Sequence, residues 1–186
     1  MRIPTEKDVR ERFIIREALE SQSARLFAER ASFAQRQELG RMAEHVDALF
    51  NQRAGGNCDS EFLFAVHSYH FQFHMKIAEY SGCSALRETI EKNNVLVLNW
   101  LYDLVGQQPP PPPGFHRDLA DVLSGNDPAA ADGAMRRHVQ WGIEETVQSI
   151  LRIKPHSGGK WRLRSDGTGL RQASPPLALL NSVPSQ

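Results

Sequence analysis

Apolar residues recur along this chain at helical spacing, and no stretch shows the strict alternation of a half-buried β-strand. Thr5 can cap a first helix, because acidic residues follow it in the first turn. One long helix, or two helices with a break near Ala31 to Ala34, is predicted next. Its apolar positions are Val9, Phe13, Ile14, Leu19, Leu26 and Phe27. A second periodic stretch, from Gln35 to Gln52, ends at the Gly55-Gly56 pair.

Cap and turn signals place the later helices and predict an all-α fold. In chain order these are a helix from Asp59 to Ser81-Gly82, a helix capped by Ser84 that runs from Ala85 to about Val105, a short helix from Phe115 to Leu123, and a last helix with Asp127 as its cap and Pro128 as its first residue that runs to about Ile153. The proline run from Pro109 to Pro113 is a stiff linker within the domain. From Lys154 the helical period disappears and glycine, serine, proline and arginine dominate, which predicts a disordered tail over 154–186.

Composition narrows the classes of partner. The chain has 186 residues with 22 basic and 22 acidic side chains, so its balanced charge argues against attraction of the whole surface to nucleic acid or to an anionic membrane. The 2 cysteines are too few for a disulfide framework, which favours a reducing, cytoplasmic setting. The charged start of the chain is no signal peptide, and no apolar run is long enough for a membrane helix.

Histidine is the residue type that carries candidate chemistry. His67, His70 and His74 lie on one stripe of a predicted helix, and His70 and His74 form an i, i+4 pair that can bind one metal ion. His116 and His138 lie on two further helices, and a helical bundle can bring such side chains to one interior point. Neutral imidazoles suit zinc, nickel, copper or iron.

A plainer interpretation remains open at this stage. Single histidines on apolar faces are usually core or surface residues with a satisfied hydrogen bond, and His45 is expected to be one, on the solvent side of its helix. An i, i+4 pair such as His70 and His74 also arises by chance. The metal hypothesis therefore requires that His116 and His138 face the same cavity as the pair.

Three segments, in the same order, resemble the FCD domain, the C-terminal ligand-binding domain of FadR-type regulators in the GntR family. IIREALES, Ile14 to Ser21, resembles the first-helix motif of that family. SYHFQFHMKIAEYSGCSAL, Ser68 to Leu86, resembles a segment with the pattern Asp-x-x-Phe-His followed by a small-residue turn. HRDLADVLSGNDPAAADGAMRRHV, His116 to Val139, resembles the family segment that begins and closes with histidine. The resemblance covers roughly Thr5 to Ile153.

The resemblance implies an antiparallel bundle of six to seven helices with a central metal and ligand cavity. Many members of the family hold a divalent metal ion through one aspartate and three histidines. His74, His116 and His138 match the three histidines, and His70 stands where the family has the aspartate. An all-imidazole set lacks that negative charge and favours zinc or nickel.

The resemblance also implies a small carboxylate effector that binds near the metal ion. Arg16 matches an arginine of the family's first helix, and its planar fork suits a carboxylate. The alternative for Arg16 is an ion pair with Glu20 at i+4. Asn94 falls near a family position that often lines the pocket.

The expected function is that of an effector-sensing domain, not an enzyme, that works as a homodimer in the cytoplasm. Residues 1–12 resemble a linker and 13–153 form the FCD-like bundle. Family members place a winged helix-turn-helix before this domain, and the sequence contains no such motif, so DNA binding is expected only through a domain absent from this chain. Two alternatives remain open: a metal-dependent, hydrolase-like bundle enzyme, and a metal-free dimerisation module.

Overall fold

The computed structural model describes residues 5–56, 59–93, 103 and 109–152, and of 149–152 the main chain alone. These residues form six helices and contain no strand, which confirms the all-α prediction. The helices are α1 (Glu6–Arg30), α2 (Phe33–Ala54), α3 (Ser60–Tyr80), α4 (Ser84–Lys92), α5 (Phe115–Leu123) and α6 (Pro128–Arg152). The predicted tail and Asn94 lie outside the described residues. None of the described helices has the length and apolar content that crossing a membrane requires.

Polar caps fix where the helices begin. Thr5 starts α1 with a capping box that Asp8 completes, and Ser32 starts α2 in the same way with Gln35. Because Ser32 caps a new helix, the first long apolar pattern forms two helices. This is one of the two alternatives that the sequence predicted. Asp127 accepts hydrogen bonds from two main-chain N–H groups in the first turn of α6, as predicted.

Side-chain contacts between helices define the bundle. Along α1 and α6, Arg10 pairs with Glu144 and Glu17 pairs with Arg136, so the residue numbers run in opposite directions and the two helices are antiparallel. Helices α2 and α3 are antiparallel by the same test, since Glu38 contacts Tyr80 and Phe50 contacts His67 and His70. The fully buried side chains between these helices include Phe13, Phe27, Leu39, Phe73, Leu123 and Met135. Burial of this apolar face is the main force that holds the helices together.

Two predicted details are wrong, and one apolar position of the first pattern is exposed. Ser84 does not cap α4 but is its first residue, and Cys83 occupies the cap position without a side-chain hydrogen bond. Helix α4 was predicted to run from Ala85 to about Val105, but it ends at Lys92, and the side chain of Asn93 donates to the carbonyl of Thr89. Positions 94–102 and 104–105 of the predicted helix lie outside the described residues. Ile14 is 65% exposed because it lies one position beyond the buried stripe of Val9 and Phe13.

Arg36 of α2 connects the ends of two other helices, and its loss is expected to destabilise the bundle. Its guanidinium donates to the carbonyls of Ala28 and Ala31 at the end of α1, and to the carbonyls of Leu123, Ser124 and Gly125 at the end of α5. These carbonyls have no partner inside their own helices, so a cation there satisfies them.

We expect Arg36→Met to lower the free energy of unfolding by about 3 kcal/mol in urea denaturation. The matched control is Arg41→Met, which removes an exposed arginine from the same helix and should change stability by less than about 0.5 kcal/mol. Equal effects of the two substitutions would contradict this role for Arg36.

Candidate metal centre

Three histidines from three helices converge in the bundle. His70 of α3, His116 of α5 and His138 of α6 each offer one ligand nitrogen, and these nitrogens all lie within 4.8 Å of one another. His116 and His138 are buried, and His70 is half-buried. Of the four histidines that the sequence suggested as ligands, the structure groups His70, His116 and His138 in this way. We call these three residues the histidine triad.

Aromatic rings hold two imidazoles of the histidine triad in position. Phe50 stacks on His116 with ring centroids 5.4 Å apart, and Phe115 stacks on His138 at 4.5 Å. A stacked ring limits the rotation of the imidazole beside it, so the ligand nitrogens are preorganised.

Asp47 of α2 fixes the tautomer of His116. Its carboxylate lies 2.7 Å from Nδ1 of His116 and also accepts the main-chain N–H groups of His116 and Arg117. Asp47 therefore caps the start of α5, where Gly114 offers no side chain. With the proton on Nδ1, the free lone pair of His116 lies on Nε2. The Nε2 atom is buried without a hydrogen-bond partner. Such an unpaired buried nitrogen, held by a carboxylate on its other side, is typical of a metal ligand.

His74 lies beside the histidine triad and is held differently. Its Nε2 is 2.9 Å from Nε2 of His70 and 3.2 Å from Nη2 of Arg16. Its Nδ1 lies 2.7 Å from the carboxylate of Glu20, close enough for a hydrogen bond although the two atoms are not well aligned for one. Arg16 in turn donates from Nε to Glu20 over 2.5 Å. The sequence left two roles open for Arg16, and the structure shows the ion pair with Glu20 together with a contact to His74.

Burial keeps all four imidazoles neutral at neutral pH. Desolvation and the neighbouring histidines hold the pKa values of His70 and His138 well below the ordinary value. Desolvation also lowers the pKa values of His74 and His116, partly offset by Glu20 and Asp47. Neutral imidazole is the form that coordinates a metal ion.

The acid beside His74 stays charged. Burial alone would raise the pKa of Glu20, but Arg16 and His74 outweigh burial and lower this pKa to about 2. Glu20 and Arg16 therefore form a buried pair of carboxylate and guanidinium whose charges compensate each other.

A pocket opens beside the histidine triad. Arg16, Trp141 and Thr146 are among the side chains that line it together with the three triad histidines, and its volume is about 50 Å³. This is room for about one or two water molecules, so the pocket suits an ion and a small polar group. The central cavity of the sequence prediction stays a prediction, because this pocket is open on one side.

Three carboxylates of the site were missed by sequence reasoning. Asp47 backs His116, Glu20 backs His74, and Asp103 lies 2.8 Å from Nε2 of His67. His67, which shares the predicted stripe of His70 and His74, is buried and lines the pocket. An acid on an apolar stripe is the signal that could have found Glu20, which lies seven residues after Phe13 on the buried face of α1. His45 is exposed, as expected, and its ring contacts Tyr69.

The comparisons with known proteins agree with this architecture. The profile of the FCD domain matches residues 11–140, which include most of α1, all of α2, α3, α4 and α5, and the first half of α6. Neither the curated proteins nor the solved structures gave a significant match. A match over most of the chain, together with the all-α bundle, is sufficient to assign the family. The chain belongs to the FCD domain family, the effector-binding regulatory domains of GntR-type transcription regulators.

Proposed function

We propose that this domain senses a small carboxylate through a divalent metal ion held by the histidine triad, and that it transmits the binding to an attached DNA-binding domain. The observation that carries the proposal is the convergence of neutral imidazoles from three helices, with the Nε2 of His116 buried and unpaired. A buried polar atom without a partner costs free energy unless a ligand satisfies it. A metal ion would satisfy it and would link α3, α5 and α6.

Zinc or nickel fits this donor set better than magnesium or calcium. His70 and His138 bring no charge, and the carboxylates of Glu20 and Asp47 are engaged by other side chains. Hard cations need several oxygen ligands, whereas borderline metal ions accept imidazoles alone. His74 completes a four-imidazole environment when its Nε2 turns to the ion.

The effector is expected to bind between the metal ion and Arg16. A carboxylate of the effector supplies the negative charge that the four histidines lack, and the arginine fork can hold one of its oxygens. Arg16 lines the pocket together with the histidine triad, so one small anion can reach both. The ion here would act as a binding group for the effector. We therefore propose a regulatory domain without catalytic activity, expected to work as a homodimer in the cytoplasm.

The metal part of the proposal predicts stoichiometric binding. Elemental analysis after purification from zinc- and nickel-replete medium should give about one ion per chain. A zinc concentration of about 1,000 times the Kd should raise Tm by about 10 °C relative to the metal-free chain in chelator. Addition of small carboxylates to the zinc-loaded chain should raise Tm further, and the corresponding amides should not. Absence of an ion, with a Tm that neither zinc, nickel nor chelator changes, would contradict the proposal and favour the metal-free dimerisation module.

Asp47→Asn tests how the site is held. An amide cannot hold the Nδ1 proton of His116 as a carboxylate does, so we expect zinc affinity to fall about ten- to hundred-fold. Zinc affinity would be measured by competition with a chromophoric chelator. Asp121→Asn is the control, since Asp121 is an exposed acid that pairs with Arg117 away from the imidazole. An unchanged affinity of the Asp47 variant would show that His116 does not need this carboxylate for binding.

A further inference from the structure

Arg16, Glu20 and His74 form a closed triangle of buried polar groups. Arg16 Nε is 2.5 Å from Oε1 of Glu20, the other carboxylate oxygen is 2.7 Å from Nδ1 of His74, and Arg16 Nη2 is 3.2 Å from Nε2 of His74. The side chains of the three residues are 10%, 4% and 2% exposed. Because water hardly reaches them, each of these groups depends on the others for its hydrogen bonds.

The protonation of His74 follows from its two neighbours. Arginine has only N–H donors, so Nε2 of His74 must accept from Nη2 of Arg16 and carries the lone pair. Nδ1 faces the carboxylate of Glu20 and carries the proton. The same Nε2 also lies 2.9 Å from Nε2 of His70, which belongs to the histidine triad. One lone pair can serve Arg16 or a metal ion, but not both at once.

The geometry points to a competition: Arg16 and the metal ion share the Nε2 lone pair of His74, so a carboxylate that engages Arg16 releases His74 to the ion. This inference rests on the proposed function, and it assigns to His74 the role of a conditional fourth ligand beside His70, His116 and His138. Effector and metal ion would then strengthen each other's binding, since linkage between two sites is reciprocal. The domain would hold its ion more tightly when the effector is present than when it is absent.

Glu20 holds Arg16 and His74 in position during this competition. Its carboxylate holds Nε of Arg16 and faces Nδ1 of His74, so both partners keep their positions while Nη2 of Arg16 changes acceptor. An effector carboxylate needs only to take this one N–H from His74. The movement is small, and the ion pair with Glu20 can remain intact throughout.

The test compares the effect of acetate on zinc affinity in the wild-type chain and in His74→Ala. In the wild-type chain, saturating acetate should raise zinc affinity about ten-fold more than in the variant, the value of one hydrogen bond to a charged group. Direct binding of acetate to zinc occurs in both proteins and therefore cancels in the comparison. An equal effect of acetate in the two proteins would overturn the inference. If the wild-type chain binds no zinc, the proposed function itself fails, and the two failures are thus distinguishable.

A double-mutant cycle separates competition from simple charge repulsion. Without acetate, Arg16→Met/Glu20→Gln should raise zinc affinity about ten-fold, because Arg16 no longer competes for Nε2 of His74 and the paired charges leave together. The same two substitutions in the His74→Ala background should change zinc affinity little. A gain that persists without His74 would overturn the inference. Arg25→Met/Glu29→Gln is the matched control, since it removes an exposed i, i+4 pair from the same helix.

The wild-type chain gives a readout that needs no folded variant. Side-chain ¹⁵N NMR distinguishes a metal-bound imidazole nitrogen from one that accepts a hydrogen bond. With zinc alone, Nε2 of His74 should keep its hydrogen-bonded shift, and acetate should move it to the metal-bound shift. The inference is wrong if His74 is zinc-bound before acetate is added, or if it stays unbound with both present.

Discussion

Replacing His70, His116 or His138 by alanine, one at a time, is expected to lower zinc affinity by at least about a hundredfold. Each of these residues brings one of the converging nitrogens, and a lost ligand costs more than the loss of a residue that only orients a ligand. His74→Ala should have a smaller effect without a carboxylate, because Nε2 of His74 also serves Arg16. Competition with a chromophoric chelator at neutral pH measures all four affinities.

The control for these substitutions is His45→Ala. His45 is exposed on α2 and contacts Tyr69, so its loss should leave zinc affinity unchanged. Circular dichroism and Tm in the presence of chelator show whether each variant is folded, which separates a lost ligand from a lost fold. Three folded triad variants that bind zinc as tightly as the wild-type chain would rule out this metal centre.

Acidification below about pH 6.5 is expected to destabilise the metal-free domain, kept in chelator, steeply. His70 and His138 have pKa values well below 6.5 in the folded state, so they stay neutral there while the unfolded chain takes up their protons. The free energy of unfolding should therefore fall by about 1.4 kcal/mol per pH unit for each of them, or about 3 kcal/mol per unit together. Urea denaturation between about pH 7.5 and pH 5.5 measures this slope.

Two points assign this acid sensitivity to the histidines. The lowered pKa of Glu20 stabilises the fold above its unfolded value of about 4.5, and this contribution is lost only as the pH falls toward about 2, so it does not act in the measured window. His138→Phe should reduce the slope by about 1.4 kcal/mol per pH unit, the contribution of one proton. Phenylalanine can keep the stack on Phe115 without titrating. A stability that is flat from about pH 7.5 to pH 5.5 would mean that the imidazoles are not buried in neutral form.

Much of the fold and of the candidate site follows from local sequence signals. Asp127 and Pro128 start α6 as predicted, and Phe115 to Leu123 is the helix that the pattern indicated. The end of α4 at Lys92 was missed because apolar periodicity in the sequence continues beyond it. Periodicity reports which face of a helix is buried, and it reports helix ends only where a strong cap is present.

The partners of the histidines could not be predicted in the same way. Spacing places His116 on a helix of its own, but its contact with Asp47 joins α5 to α2 and depends on how these two helices align along their length. The same holds for Arg16 and His74, which are far apart in sequence and meet only because α1 lies beside α3. The i, i+4 pair of Arg16 and Glu20 was visible in the sequence, and its role beside a histidine was not.

The central claim is that a metal ion lies among His70, His116 and His138. Anomalous diffraction at the zinc edge, from crystals of the zinc-loaded domain, tests it most directly. We predict one strong peak with a nitrogen from each of these histidines at about 2.0–2.1 Å, the usual imidazole–zinc distance. A peak elsewhere on the protein would contradict the claim. So would the absence of a peak in crystals that are kept in a zinc-containing solution.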